Sequence, residues 1–522
     1  MALNTAPRRG GIALAVAAVT ALGLSACSGS GGSVDEEGGD ADTSKVVIAL
    51  EADMAPNGYD PLRYSTGQRF FFEGMYDSLF TLDEEGLPTP GAATSFEFNE
   101  DFTEMTMDLD TSIVFDDGTA LSADLVKQNL DQRDNPELGA YRELVIGGEA
   151  EISEVVVVDD DTVTLVFGAP QPGFQGNLTF PGGALIGPAG LADRASLDTT
   201  PDGSGPLTID EGATVKGNTY LQVKKEGTDR GDEYPFDAYE FRPILDPQAR
   251  TNAAISGEVD LAIVGADTTE QIEGSGTGLV ENGGNIYNLI RFDKTGAVNP
   301  AFADPRVFKA LSIAIDREAY VNAVHPGQEP TANVMPKDSP GYLPELEEEY
   351  AYDPEGAMEL LAEAGYPDGF EFEFIISPRS QRDLEALQPY WAAIGVDVVL
   401  TTAASDEQRF AATRTNYMGG PFQANWSNPL GVVNGVLFGF ANQHGGEAPE
   451  IQAAATEYGA AQTDEERAEA LQNLNRAIVE AGWLGPLYEE FVPWAFAQEK
   501  IAEPTFPGAE PYPILGDVQP AS

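Results

Sequence analysis

Asp304-Pro305-Arg306-Val307-Phe308-Lys309-Ala310-Leu311-Ser312-Ile313-Ala314 opens with the two residues that a helix start asks for. Asp304 suits the N-cap, where its carboxylate accepts from backbone N–H groups, and Pro305 suits the first helical position, where its missing N–H costs nothing. Val307, Leu311, Ile313 and Ala314 are then available for burial. Working outward, Asp353-Pro354 repeats the device, with Gly365 placed to stop that helix. Thr463 and Glu466 form a capping-box pattern ahead of Leu471, Leu474 and Ile478. Stretches rich in β-branched or aromatic residues, 370–376 and 396–400, separate these helices as strands. Helices alternating with strands predict an α/β second half.

The first half is richer in strands and turns. A strand pattern covers Lys45–Leu50, and Asn57-Gly58-Tyr59-Asp60-Pro61 reads as a turn. An aromatic-rich helical stretch is expected from Arg69 to Phe80, leading into a strand at Ser78–Leu82. Met105, Met107 and Leu109 alternate with polar residues, as in a half-buried strand. Ser122 is placed to cap a helix through Leu130. Val155–Val158 and Thr162–Phe167 flank Asp159-Asp160-Asp161, a hairpin signal. Those three aspartates lack the spaced oxygens, glycine and closing glutamate of a calcium loop, so they read as a solvated turn.

Composition narrows the function. The 522 residues hold 28 Lys plus Arg against 86 Asp plus Glu, a formal charge of −58, which repels a nucleic-acid backbone. A hydrophobic content of 42% is enough for sizeable cores. One cysteine and two histidines leave no intrachain disulfide and no Cys/His metal cluster. His325 in Val-His-Pro-Gly and His444 in Gln-His-Gly-Gly both read as surface loop residues, with no orienting partner in the local sequence. No catalytic residue, metal or cofactor is expected. With so many acids, carboxylate pairs arise by chance, so an extracellular hydrolase is the weaker alternative.

The N-terminus gives an address. Arg8 and Arg9 precede a small-apolar run over 10–24, which ends in Leu24-Ser25-Ala26-Cys27. That is the pattern of a secretory signal over 1–26, whose apolar run is too short to span a bilayer comfortably. The tetrad resembles a bacterial lipobox, which implies a lipidated Cys27 at the start of a flexible acidic tether over 27–45. The folded part is then held at the extracellular face of the cell membrane.

Four stretches in order carry a wider resemblance. They are Met75-Tyr76-Asp77-Ser78-Leu79-Phe80 with Val114-Phe115-Asp116-Asp117-Gly118; Gly203-Ser204-Gly205-Pro206; Ile244-Leu245-Asp246-Pro247-Gln248-Ala249-Arg250 running to Leu261; and 304–318 with Ala393-Ile394-Gly395-Val396. Together they resemble the family 5 solute-binding proteins of ABC importers, the peptide/nickel class. The resemblance implies a bilobal α/β fold of the type II periplasmic-binding-protein kind, with an extra subdomain inserted at about 62–200. Lobe I would comprise 46–265 and 484–522, and lobe II 266–483. It also implies a monomer that closes on a peptide or related solute and delivers it to a permease and ATPase complex. A nickel chelate, an opine or an oligosaccharide is the alternative cargo.

In dipeptide-binding relatives an Asp beside a Trp pairs with the peptide ammonium, and an Arg pairs with the carboxylate. The matching segment here is Gln423-Ala424-Asn425-Trp426-Ser427-Asn428-Pro429, and no Asp occurs between Asp406 and Asp464. Asn425 and Asn428 can hydrogen-bond there without charge. Trp426 serves either as a stacking surface or as core. Arg382 matches the carboxylate-binding Arg, with Arg379 the alternative, and Arg offers a bidentate fork. Tyr59, Tyr64 and the backbone of Gly205 are the remaining candidate contacts. The Cys27→Ala chain is expected to lose its lipid and appear in the culture medium, as metabolic labelling with a radioactive fatty acid and fractionation would read.

Overall fold

The structure is a computed structural model describing residues 44–521 apart from 65, 85, 136–137, 139–151, 172, 229, 377–379, 404–417, 427–428 and 462. Cys27, Arg379 and Asn428 lie outside the described residues, and Asn425 is described by its backbone alone.

Strand β1 (Val46–Leu50) is buried along its whole length. Val46, Ile48 and Leu50 enter one core, while Val47 and Ala49 enter a smaller one on the opposite face. That explains the unbroken apolar run, since a parallel strand is covered on both faces. Strands β2 (Ala238–Pro243) and β3 (Leu261–Ile263) pair with β1 in parallel on either side. Helix α1 (Pro247–Ser256) links them, capped by Asp246, whose carboxylate accepts from Ala249 N at 2.8 Å. The chain then enters strand β4 (Gly278–Arg291).

Helix α2 (Pro305–Ile313) starts as its sequence dictates: the Asp304 carboxylate accepts from Arg306 N at 2.9 Å. Helix α3 (Arg317–Val324) follows, and α4 (Pro354–Glu363) is capped by Asp353 on Gly356 N at 2.8 Å. Strand β5 (Phe370–Ile376), helix α5 (Gln381–Ala393) and strand β6 (Val396–Thr402) form a parallel unit. Strand β7 (Met418–Asn425) precedes helix α6 (Asp464–Glu480), where both capping-box bonds are present, at 3.0 and 3.2 Å. Strand β8 (Leu484–Phe496) returns the chain.

Among the described residues, nine strands join one sheet in the order β7-β4-β8-β3-β1-β2, followed by Tyr220–Lys224 and Leu207–Ile209, with Glu329–Pro330 added on β8. One large core gathers residues between 46 and 263 with those between 494 and 518. The other gathers residues between 286 and 488. Strands β4 and β8 pair from Gly278↔Phe496 to Ile290↔Leu484 and so run through both lobes. Their register shifts between Gly283 and Asn285 and again between Tyr287 and Asn288. Gly284 there has φ +116°, a backbone conformation that a side chain resists. Ile272 is fully buried in the small cluster that also holds Val47, Ala49 and Val264. Its apolar side chain covers the far face of β1, so the passage between cores falls within β4.

Residues 93–167 carry a separate antiparallel sheet of four strands, ordered Ala93–Phe98, Glu104–Leu109, Thr162–Phe167, Ile152–Val157. Met105 and Met107 face inward as their alternation requires, and join the first core. The helical stretch expected from Arg69 ends early, at Phe72. Its neighbours Gly74 and Met75 instead accept hydrogen bonds from Leu207 N and Gly205 N at 2.8 and 3.1 Å. A Cβ on Gly205 would lie 2.4 Å from Gly74 O, so this glycine serves a close backbone approach inside lobe I. Its N–H is already given to Met75, which corrects the expectation that Gly205 offers its backbone to the cleft. Gly205→Ala is expected to cost about 1–3 kcal/mol by overpacking, seen as a lower Tm, while solute affinity per folded molecule is unchanged.

Candidate functional site

In open sheets with parallel strands, ligands bind outside the carboxyl ends of those strands. In lobe I the carboxyl ends of β1, β2 and β3 lie together. Arg250 ties them: its Nε donates to Ile263 O at 2.7 Å, and its Nη1 to Ile244 O and Leu245 O at 2.6 and 3.1 Å. Glu51 follows β1 directly. One of its oxygens accepts from the Tyr512 hydroxyl, and the other, Oε2, is buried without a hydrogen-bond partner among the described residues. Tyr512 itself is fixed by aromatic contacts with Phe70 and Trp494, at 6.2 and 5.9 Å between ring centroids.

Crossing strand β8 carries a second carboxylate, Glu490, whose ionisation the charge of Glu51 opposes. Glu490 on β8 accepts from Gln423 Nε2 of β7 at 2.8 Å and from the Tyr287 hydroxyl of β4. The register explains the meeting, because Tyr287 pairs with both Gln423 and Tyr488, and Asn285 with both Asn425 and Glu490. Burial pushes the Glu490 carboxyl up to about 7; the bonds from Tyr287 and Gln423 and the field of His325 oppose the rise, and Glu51 adds to it.

Beside these acids stands a column of rings. Tyr287 lies flat on Tyr488 at 4.8 Å and 8°, and His325 stacks on the other side of Tyr488 at 4.5 Å. His325 Nε2 is bonded to Asp383, whose Oδ1 also accepts from the Tyr320 hydroxyl at 2.7 Å. The reading of His325 as an unsupported surface loop residue is thereby corrected. Its orienting partner lies in α5, where local sequence could not reveal it.

The other residues picked from sequence fall in varied settings. Trp426 directly follows β7, is 6% exposed and belongs to the lobe II core, yet its Nε1 has no acceptor among the described residues. Trp391 shows the usual arrangement, donating to Leu311 O at 3.1 Å. Arg382 is exposed at the start of α5 and reaches Ala323 O at 3.4 Å, next to Asp383. Tyr59 is 1% exposed and packed in lobe I, with its hydroxyl pushed up to about 12 by burial and by Glu211 and Asp53. Tyr64 closes its own turn, donating to Gly58 O at 2.7 Å and accepting from Asn57 N at 3.0 Å. Tyr59 and Tyr64 therefore shape the loop after β1. Sequence reasoning missed Glu51, Glu490, Tyr287, Tyr488 and Tyr512, and only the pairing of distant strands brings them together. No group of three His, Cys, Asp or Glu is placed to hold a metal among the described residues.

Two cores joined by a pair of continuous strands, with polar and aromatic side chains gathered where they meet, define a two-lobed binding protein. Residues 88–446 match the model of the bacterial extracellular solute-binding proteins, family 5 (middle). The chain belongs to that family. It is 27% identical over 419 residues, 78% of either chain, to the glutathione-binding protein GsiB of Pectobacterium atrosepticum. It is 28% identical over 344 residues to GsiB of Escherichia coli, spanning 63% of this chain and 64% of that one. Among solved structures, AgaA from A. tumefacien R10 in complex with agropinic acid superposes with a TM-score of 0.72 at 22% identity, covering 91% of this chain and 98% of that one. DppA from Helicobacter pylori in complex with the peptide STSA gives 0.67 at 20% identity, covering 88% and 94%. The chain is accordingly a solute-binding protein of the ABC-importer class.

The raised Glu490 carboxyl has a measurable consequence. The folded state takes up the proton more readily than the unfolded chain between about pH 4.5 and 7, so stability falls as pH rises through that window. Glu490→Gln keeps an acceptor for Gln423 and removes the buried charge. Its Tm is expected to exceed that of the parent at pH 8 and to match it at pH 4, by differential scanning calorimetry of the solute-free protein.

Proposed function

We propose that this protein captures a short peptide between its lobes and hands it unaltered to a membrane permease and ATPase complex, while a lipid on Cys27 holds it at the outer face of the cell membrane. The observation that carries the peptide reading is the place of β7. Among the described residues it is an edge strand of the nine-stranded sheet, and its Gln423 donates to Glu490. An edge strand presents main-chain donors and acceptors to an extended backbone, and this is how peptides add to sheets irrespective of their side chains. The relatives named for glutathione and the neighbour solved with STSA support the same reading. The paired crossing strands with their two register shifts suit a clamp that closes when the solute has higher affinity for the closed form.

A second reading keeps the clamp and changes the cargo. The segment around Trp426 contains no Asp, so the ammonium partner expected by resemblance to dipeptide-binding proteins is missing there. AgaA was solved with agropinic acid, and an opine-like solute would suit a cleft without that anchor.

A thermal-shift screen with di- and tripeptides, opines, oligosaccharides and nickel chelates distinguishes the two. Peptides are expected to raise Tm, with stabilisation growing as RT ln(1 + [L]/Kd), about 2.7 kcal/mol at a hundredfold excess over Kd. Small-angle scattering should contract with the same peptide. Inert peptides beside an active opine would remove the peptide reading and leave the clamp.

A further inference from the structure

We infer that Glu51 and Glu490 together seat a positively charged group of the solute, an ammonium or a guanidinium, where the two lobes meet. The inference rests on the solute-capture reading and names the chemistry that the cleft selects.

Three separate parts of the chain build the seat. Glu51 comes from the end of β1, Glu490 from the crossing strand β8, and Tyr512 from the C-terminal segment that donates to Glu51. Each carboxylate acts on the Tyr512 hydroxyl, and Glu51 makes ionisation of Glu490 harder. Two acids that oppose each other in this way are stabilised by a cation between them. Among the described residues neither forms an ion pair with Lys or Arg, although the field of Arg250 reaches Glu51. Glu490 is held by the neutral donors Gln423 and Tyr287. Arg250 favours the charge of Tyr512, but its described bonds all go to the carbonyls of Ile263, Ile244 and Leu245. His325 is engaged by Asp383.

The contrast with other buried acids is informative. Asp60 pairs with Arg63 and Arg194, Asp77 with Arg230 in a fork at 2.8 and 2.9 Å, Glu73 with Arg69 at 2.6 Å, and Asp260 with Lys500 at 2.8 Å. These four acids, Asp60 buried and the others partly buried, are each met by a guanidinium or ammonium of the chain itself. Just beyond the end of β1 it leaves Glu51 Oε2 buried and without a partner among the described residues. An incoming N–H⁺ would satisfy that oxygen by a charge-assisted bond and relieve the repulsion from Glu490.

Isothermal titration calorimetry at pH 8 tests this with Ala-Ala-Ala, N-acetyl-Ala-Ala-Ala, arginine amide and putrescine, on the parent and on Glu51→Gln and Glu490→Gln. At least one cationic probe is expected to bind, each Gln variant is expected to weaken it tenfold or more, and acetylation should weaken the tripeptide likewise. The inference is overturned if the tripeptide and its acetylated form bind alike, if both Gln variants bind as the parent does, or if none of the cationic probes binds. The first of these outcomes leaves peptide capture standing. Binding of arginine amide or putrescine that depends on both glutamates, with an inert tripeptide, removes the peptide reading and keeps the cation seat. The acetylated pair requires no variant, so an ill-folded mutant does not blunt the test.

Discussion

The pairing of β4 with β8 is the constraint on which everything else depends. Two strands of 14 and 13 residues run side by side through both lobes, and each lobe builds its share of the sheet upon them. On one half β8 accepts β3, which continues to β1 and β2; on the other half β4 accepts β7. The register between them decides which side chains meet. It sets Gln423, Tyr287 and Tyr488 in one row and Asn425, Asn285 and Glu490 in the next. A slip of one residue would send each of these to the opposite face and dismantle the ring column and the carboxylate seat together.

Two kinds of polar burial coexist here and do different jobs. Arg250 and Arg317 are buried cations that hold loops by donating to carbonyls: Arg317 reaches Pro486 O at 2.8 Å and Tyr350 O at 2.9 Å. Asp293 does the converse, accepting from the N–H groups of Ala297, Val298 and Asn299 at 2.8–2.9 Å. These groups are satisfied and rigid. Glu51 and the indole of Trp426 each keep a buried polar atom without a partner among the described residues. Leaving a buried group unsatisfied costs about 1–3 kcal/mol. A binding protein recovers that cost when its guest arrives, which makes the cost a source of selectivity.

Features fixed by neighbours in sequence were legible. The caps at Asp304, Asp353, Ser122 and Thr463, and the alternation around Met105, depend on residues within one turn or one strand, and they form as written. The resemblance carried the family and the two-lobed plan. The site was far less legible. His325 meets Asp383 across 58 residues, and Tyr512 meets Glu51 across 461. Such pairs leave no local pattern. Gly205 misled for a related reason: a glycine in Gly-Ser-Gly-Pro reads as a turn or an open backbone, whereas its role is to let residues 203–207 press against Gly74 and Met75.

The joint between the lobes is a hydrogen-bonded ribbon, not a slack tether, and Gly284 gives it a bend that other residues resist. A ribbon of this kind behaves as a torsion spring with a preferred resting angle. Part of the energy released when a guest is gripped must be stored in flexing that spring, so grip strength depends on the joint as well as on the contacts. Altering the stiffness at Gly284 would then retune how tightly cargo is held without touching a single atom that meets it.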